Sequence, residues 1–454
     1  MLVLFAKENR TKLNQLVSLM LPILGTQLAN MGMGFFDASM SGQAGNVDLA
    51  GSAIGSNLWA PIHTGLGGIL LAALPLIANA LGAGEREKII HALRQGLLLA
   101  FCFSLLLLLS GPFWLPWALA QMSLTPDVYY IAQCYCYGVA IGILPFFLII
   151  PVRSLVDSLG YTELSMKLYL LGLPLNAFLN YIFIFGKLGL PRFGGIGAGI
   201  ATGITYWLLF FLFFFVVRRM DVFQEYRPFS LEKPNLKAIK EYLRLGIPLG
   251  FSIFLEVSIF CIVAFFIAKF GTNVLAAHEA AMNLTCLIYM VPLSFSMALT
   301  IMVGRAYGAK DYTETKLISR LGIELNVACS LVYMSLEFLC LDYLTLIYSS
   351  DPEVRLLLKE FVFYALIWQF ADTLATPAQG VLRGYKDVDA TFWSNVGAYW
   401  GVCLPLGLLL DYHYGRGAFA YWEGLLLGVF LSMTFLVLRM FWFEAKYLKQ
   451  PSTD

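Results

Sequence analysis

Charged residues are so sparse along the chain that they punctuate long apolar stretches. No Asp, Glu, Lys or Arg interrupts 13–36, 49–84, 95–126, 128–152, 168–186, 193–217, 280–304 or 390–410, and about 20 apolar residues cross the hydrocarbon of a bilayer. The stretches 245–268 and 361–382 would join them but for Glu256 and Asp372, and 321–346 and 417–440 carry a few acids. The pattern predicts an all-α integral membrane protein of twelve transmembrane helices. They lie near 14–40, 48–80, 90–120, 127–155, 164–186, 195–217, 239–268, 274–304, 317–346, 354–382, 390–411 and 417–442. A run such as Leu105 to Leu109 lacks the alternation that a membrane β-barrel needs.

Composition excludes the soluble alternative. The chain is 59% hydrophobic and 13% charged, against roughly 45–50% and 25% in soluble domains. A net charge of +1 leaves no field for nucleic acid. The cations set the orientation: with a cytoplasmic amino terminus, outside segments hold only Lys187, Arg192, Lys269, Arg355, Lys359 and Arg416 of the 30 Lys and Arg. Both termini are then cytoplasmic and the protein is multi-pass in the plasma (inner) membrane. Lys7, Arg10 and Lys12 follow too short an apolar start for a cleavable signal. The eight cysteines fall mostly within spans and read as small core residues, not as a disulfide framework.

The chain is also internally duplicated. Segment 21–85 lies over 247–311 without a gap at an offset of 226, bringing Pro22 onto Pro248, Gly45 onto Gly271, Asn57-Leu58 onto Asn283-Leu284 and Gly82-Ala83 onto Gly308-Ala309. A second echo sets Ser158-Leu159-Gly160-Tyr161 against Leu382-Arg383-Gly384-Tyr385 at an offset of 224. The predicted organisation is an N-lobe, 1–217, a cytoplasmic loop, 218–238, and a C-lobe, 239–454, each lobe with six helices. An even number of spans per lobe makes the repeat parallel. Secondary transporters commonly use such repeats, with sites between or within the halves and rocking motions for alternating access.

Acids inside the spans are the main chemical signal. One ionised side chain at the bilayer centre costs roughly 2.5–3.5 kcal/mol on insertion scales. Glu256 and Asp372 fall at the midpoints of their spans, and Asp37 lies deep in the first. Such acids make sense facing a wet cavity, exchanging a proton, a metal cation or a cationic substrate; the alternative is a buried hydrogen bond to a neighbouring helix. At offset 226 Glu256 meets Asn30 and Asp37 meets Val263, so the lobes share a scaffold but not a chemistry. Glu279 lies about a turn inside the eighth span. Glu324, Glu337, Asp342 and Glu423 lie nearer to span ends, where a carboxylate snorkels to the interface. His278 reads as a packing residue or a titrating group. Asn176 and Asn180, four apart on one helical face, offer two amide oxygens to a cation or serve as interhelical glue. Phe35, Phe36, Tyr289 and Trp368 stand close to these polar positions and suit lipophilic cations by cation–π attraction.

Several enzyme classes lack their signatures. The cluster Gly194-Gly195-Ile196-Gly197-Ala198-Gly199 opens a span with no strand before it, which points to close helix packing. No Gly-x4-Gly-Lys-Ser/Thr, HExxH or paired Cys-x2-Cys occurs, so neither ATP hydrolysis nor a catalytic metal is indicated.

These residues resemble the NorM-type branch of the MATE (multidrug and toxic compound extrusion) transporters along nearly the whole chain. The motifs are Met33-Gly34-Phe35-Phe36-Asp37, Leu81-Gly82-Ala83-Gly84, Pro174-Leu175-Asn176 with Asn180-Tyr181-Ile182-Phe183, Gly199-Ile200-Ala201-Thr202, Phe254-Leu255-Glu256-Val257, Ala276-Ala277-His278, Tyr289-Met290-Val291-Pro292, Gln369-Phe370-Ala371-Asp372 and Leu382-Arg383-Gly384-Tyr385-Lys386-Asp387. The resemblance implies a MATE-like fold and a multidrug antiporter, not an enzyme, that exports organic cations and other drugs against Na+ or H+ with no cofactor. It implies a C-lobe ion and drug site at Glu256 and Asp372 with Tyr289, and an N-lobe cation or proton site at Asp37, Asn176, Asn180 and Thr202. Asp351 matches an acid near an outward drug site. Trp368 stands where some members carry a tyrosine next to the ion site, and Glu279 where many carry glutamine. A monomer is expected. The competing expectations are a lipid-linked-precursor flippase, which needs a cationic groove, a membrane-embedded enzyme and a passive channel.

Overall fold

The computed structural model describes residues 9–228 and 234–448; Lys7, part of the inter-lobe loop and both chain ends lie outside the described residues. The described residues are helical almost throughout and contain no strand. The first half comprises α1 (Arg10–Ala44), α2 (Asn46–Leu70), α3 (Ala73–Gly82), α4 (Arg86–Ala120), α5 (Pro126–Ala140), α6 (Ile143–Ser158), α7 (Thr162–Phe185) and α8 (Gly195–Arg219), followed by the short α9 (Asp221–Gln224). The second comprises α10 (Leu236–Ile267), α11 (Thr272–Gly308), α12 (Tyr312–Leu339), α13 (Leu341–Tyr348), α14 (Pro352–Gly384), α15 (Val388–Asn395), a π-helical stretch (Val396–Cys403), α16 (Leu404–Tyr414) and α17 (Phe419–Tyr447).

Every expected span has its helix. Among the described residues nine segments, α2 with α3 counted as one, are long and apolar enough to cross a bilayer, and α5 with α6, bent by 46°, makes a tenth. The other two are α14, which is more polar, and the run from α15 to α16, which the π turn divides.

The breaks follow proline chemistry. A proline has no N–H for the carbonyl four residues back and crowds it. Pro75 breaks the helix at Leu71, and Pro145 at Ile141. Each break frees a carbonyl, which is costly in a membrane interior. The Tyr242 hydroxyl donates to Leu70 O at 2.5 Å, and the Trp207 indole N–H donates to Ile141 O at 2.9 Å. Tyr242→Phe strands the first carbonyl, for about 1–3 kcal/mol. It should lower the melting temperature in detergent by about 1–3 °C, whereas an unchanged melt would show that the carbonyl finds another donor.

The duplication is visible in the backbone. Gly84 (φ 70°) and Lys310 (φ 60°) both take the left-handed turn after their helices. Glu85 N donates to Ala80 O, and Asp311 N to Ala306 O, both at the 226 offset. The second echo needs a correction. Tyr161 N donates to Val156 O and Asp387 N to Leu382 O, while Gly160 (φ 90°) matches Lys386 (φ 63°). The turn geometry therefore aligns at 226, not 224; the glycines Gly160 and Gly384 aligned at 224 because a lysine carries the left-handed turn in the second copy.

Residues sort by contact into two compact units whose edges cross the chain's halves. One contains Pro22–Leu81 and Glu85–Gly250; the other contains Met1–Leu21, Gly82–Gly84 and Phe251–Asp454. The reading 1–217, 218–238 and 239–454 follows the chain, whereas the contact units cut within α1 and α10. In the first unit the start of α10 sits tightly on α2, where a Cβ at Gly250 would stand 2.5 Å from Gly65 O. In the second, Lys12 pairs with Glu314.

Candidate functional site

In the first unit, α1, α7 and α8 bring four predicted residues together. Asn180 Nδ2 donates to Asp37 Oδ1 at 2.6 Å, and Thr202 Oγ1 donates to Asp37 Oδ2 at 2.6 Å. Asn180 Nδ2 also reaches Asn176 Oδ1 at 3.1 Å, and Asn176 Nδ2 reaches Thr202 Oγ1 at 3.4 Å. Asn176 and Asn180 are fully buried, and Asn180 Oδ1 has no hydrogen-bond partner. One carboxylate, two amides and one hydroxyl thus form a compact oxygen set with an oxygen to spare, which suits a small cation or a proton.

The α8 placement depends on glycine. A Cβ at Gly199 would stand 2.4 Å from Tyr135 O, one at Gly203 2.6 Å from Gly138 O, and one at Gly142 2.7 Å from Gly203 Cα. This double small-residue mesh lets α5 and α8 touch backbone to backbone and turns Thr202 toward Asp37. The expectation of close packing at the glycine cluster holds at Gly199.

In the second unit, α10, α11, α14 and α15 assemble the other acids. Thr376 Oγ1 donates to Asp372 Oδ1 at 2.7 Å. Tyr289 lies close to Glu256 and Thr376. Asn395 Nδ2 reaches Glu256 Oε2 at 3.4 Å and Ser252 Oγ at 2.8 Å. Trp400 Nε1 donates to Leu255 O at 3.2 Å, bracing α10 beside Glu256. Arg383, bonded to Gln379 Oε1 at 3.1 Å, acts electrostatically on Glu256.

The remaining predicted residues lie elsewhere. Trp368 is buried, packs edge-on against Phe260 at 5.9 Å, and leaves its indole N–H unpartnered. Glu279 is exposed beside Cys261 and Cys286, ten residues and about 15 Å along α11 from Tyr289. Asp351 caps α14, its Oδ1 accepting from Glu353 N at 2.9 Å, about 30 Å along the helix from Asp372. The structure therefore separates Glu279 and Asp351 from the carboxylate pair. His278 is a buried packing residue that accepts the Trp422 indole N–H at 3.1 Å. Glu337, expected to snorkel, is instead 4% exposed. Sequence reasoning missed Thr376, Asn395 and Arg383. It also missed an aromatic wall, where His63 stacks on Trp59 at 5.5 Å and meets Phe146, which meets Tyr206. The i, i+4 spacing of Asp372 and Thr376 was the available signal.

A family model described as MatE matches residues 22–182 and, again, residues 248–409, two copies whose starts are 226 residues apart. The chain belongs to the MATE family. A "Probable multidrug resistance protein NorM" of Bacillus anthracis is 42% identical over 97% of this chain and 98% of its own length. Another, of Halalkalibacterium halodurans, is 44% identical over 90% of both. Among solved structures, a eukaryotic MATE transporter superimposes with TM-score 0.86 at 19% identity, covering 94% of this chain and 95% of its own. A Vibrio cholerae MATE transporter gives 0.85 at 20%, covering 98% and 99%. The fold is the MATE fold, and the protein is a multi-pass membrane transporter, not an enzyme.

Proposed function

We propose that this MATE protein is a secondary antiporter that exports lipophilic organic cations and related drugs in exchange for inward Na+ or H+ by alternating access. It works in the cytoplasmic (inner) membrane, as a monomer with both termini cytoplasmic and without a cofactor. The observation that carries the reading is the pairing of Glu256 and Asp372, which act electrostatically on each other in one site, with Thr376 Oγ1 donating to Asp372 Oδ1 at 2.7 Å. A cation or proton that fills it removes the charge a cationic drug would use, so ion and drug exclude one another. That mutual exclusion is the reciprocal coupling antiport needs. The Asp37 cluster is a second ion site, in the N-lobe. The relatives named as probable multidrug resistance proteins support drugs as the cargo.

The energetics favour more than one coupling ion. One charge crossing about 100 mV releases roughly 2.3 kcal/mol. For a monovalent drug exchanged one for one that electrical contribution cancels, and a tenfold ion gradient then sustains only about a tenfold drug gradient.

Purified protein in vesicles, given a Na+ gradient at fixed pH or a pH gradient without Na+, tests this reading. Ethidium should move against its own gradient in at least one arm, with ion flux that depends on ethidium. Ethidium flux insensitive to both gradients would overturn antiport.

A further inference from the structure

α12 places Asn326, Ser330, Tyr333 and Glu337 at intervals of four, three and four residues, which is one face of a helix. That face meets α14. Asn326 Nδ2 donates to Thr373 O at 2.7 Å, Tyr333 lies close to the Thr373 side chain, and Gln369 Nε2 donates to Glu337 Oε1 at 3.4 Å. Thr373 Oγ1 in turn donates to Gln369 O at 2.8 Å. Asp372 is on the same helix, three residues beyond Gln369, and both it and Glu337 act electrostatically on Tyr333.

Glu337 is the unexplained member. It stands two residues before the end of its helix, yet it and Gln369 are each only 4% exposed. Its one hydrogen-bond partner among the described residues is the neutral Gln369 amide, over a long contact. Glu337 Oε2 and Gln369 Oε1 are both buried without a partner. Burying an acid this way is costly, and two buried oxygens without donors on one contacting pair call for positive charge. The equivalent positions of the N-lobe, Gly111 and Ile143, carry nothing polar, so the scaffold does not require the pair. Glu337 also lies toward the end of the lobe where α12 finishes and α14 begins, the outer end in the orientation the cations set.

We propose that Glu337 and Gln369 form a second small-cation site of the C-lobe, an outer port through which the coupling Na+ or H+ reaches Asp372 past Tyr333 and Thr373. The proposal rests on the antiport reading above. The ion loses its water at Glu337, where the carboxylate and the free amide oxygen replace it. It then moves about one helical turn inward to Asp372, and Gln369 turns its amide back to the emptied carboxylate. The port serves the ion alone, and organic cations bind at Glu256 and Asp372.

The test compares the native protein with Glu337→Gln in vesicles, measuring ethidium exchange against the external concentration of Na+ or H+ in separate arms. The half-saturating ion concentration should rise about tenfold or more, the equivalent of losing one charge-assisted contact, while half-saturation for ethidium stays within about twofold. Glu337→Asp should recover most of the shift. Gln369→Leu is the second variant should Glu337→Gln fail to insert, with the same shift expected. Unchanged ion half-saturation in a folded variant, with ion-driven flux intact in the native protein, overturns this proposal alone. Absence of ion-driven flux in the native protein overturns the antiport reading, and the port falls with it. Equal losses of ion and ethidium affinity would make Glu337 part of the drug site and also overturn the port.

Discussion

Glu256→Gln and Asp372→Asn are each expected to lower gradient-driven ethidium efflux by about 100-fold or more while the protein still inserts and folds. The amides keep the shape and the acceptor oxygen. Thr376 can still donate to position 372 and Asn395 to position 256. What they remove is the charge that a coupling ion must neutralise. Stability should not suffer, because replacing a buried charge by a neutral group of the same volume removes a desolvation cost. Melting temperatures in detergent within about 1 °C of native, a change worth roughly 1 kcal/mol, would separate a functional loss from a folding loss. Full efflux by both variants would rule these acids out as the coupling site.

Gly199→Leu is expected to fail at the level of the fold. A Cβ there would stand 2.4 Å from Tyr135 O, and that atom is backbone, which cannot rotate aside. Overpacking ordinarily costs about 1–3 kcal/mol; here the rest of the leucine would have to enter as well, forcing α8 away from α5. Thr202, three residues on, would lose its 2.6 Å bond to Asp37. Membrane-inserted yield and thermal stability should both drop sharply, while Gly199→Ala should lie between leucine and native. Native-like stability of the leucine variant would mean that α5 and α8 do not touch as described.

The spans were readable because hydropathy accumulates over consecutive residues. The duplication was readable because both copies retain proline, glycine and asparagine in register. Its second echo slipped by two residues because glycine is the usual left-handed residue, and Lys386 takes that conformation without being one. Glu337 misled for a related reason: sequence gives distance from a span end, but not whether a neighbouring helix covers the side chain.

By itself the sequence determined an all-helical membrane protein of two six-span copies with acids at Asp37, Glu256 and Asp372. Each of those facts is local, or a comparison of one segment with another. Only the tertiary structure decided which oxygens meet: Asp37 finds Asn180 and Thr202 from 143 and 165 residues away, and Glu256 finds Asn395 from 139. Such pairings depend on how closely and at what rotation helices pack, which small residues at backbone contacts set. The same side chains on helices a few ångströms further apart would not reach one another.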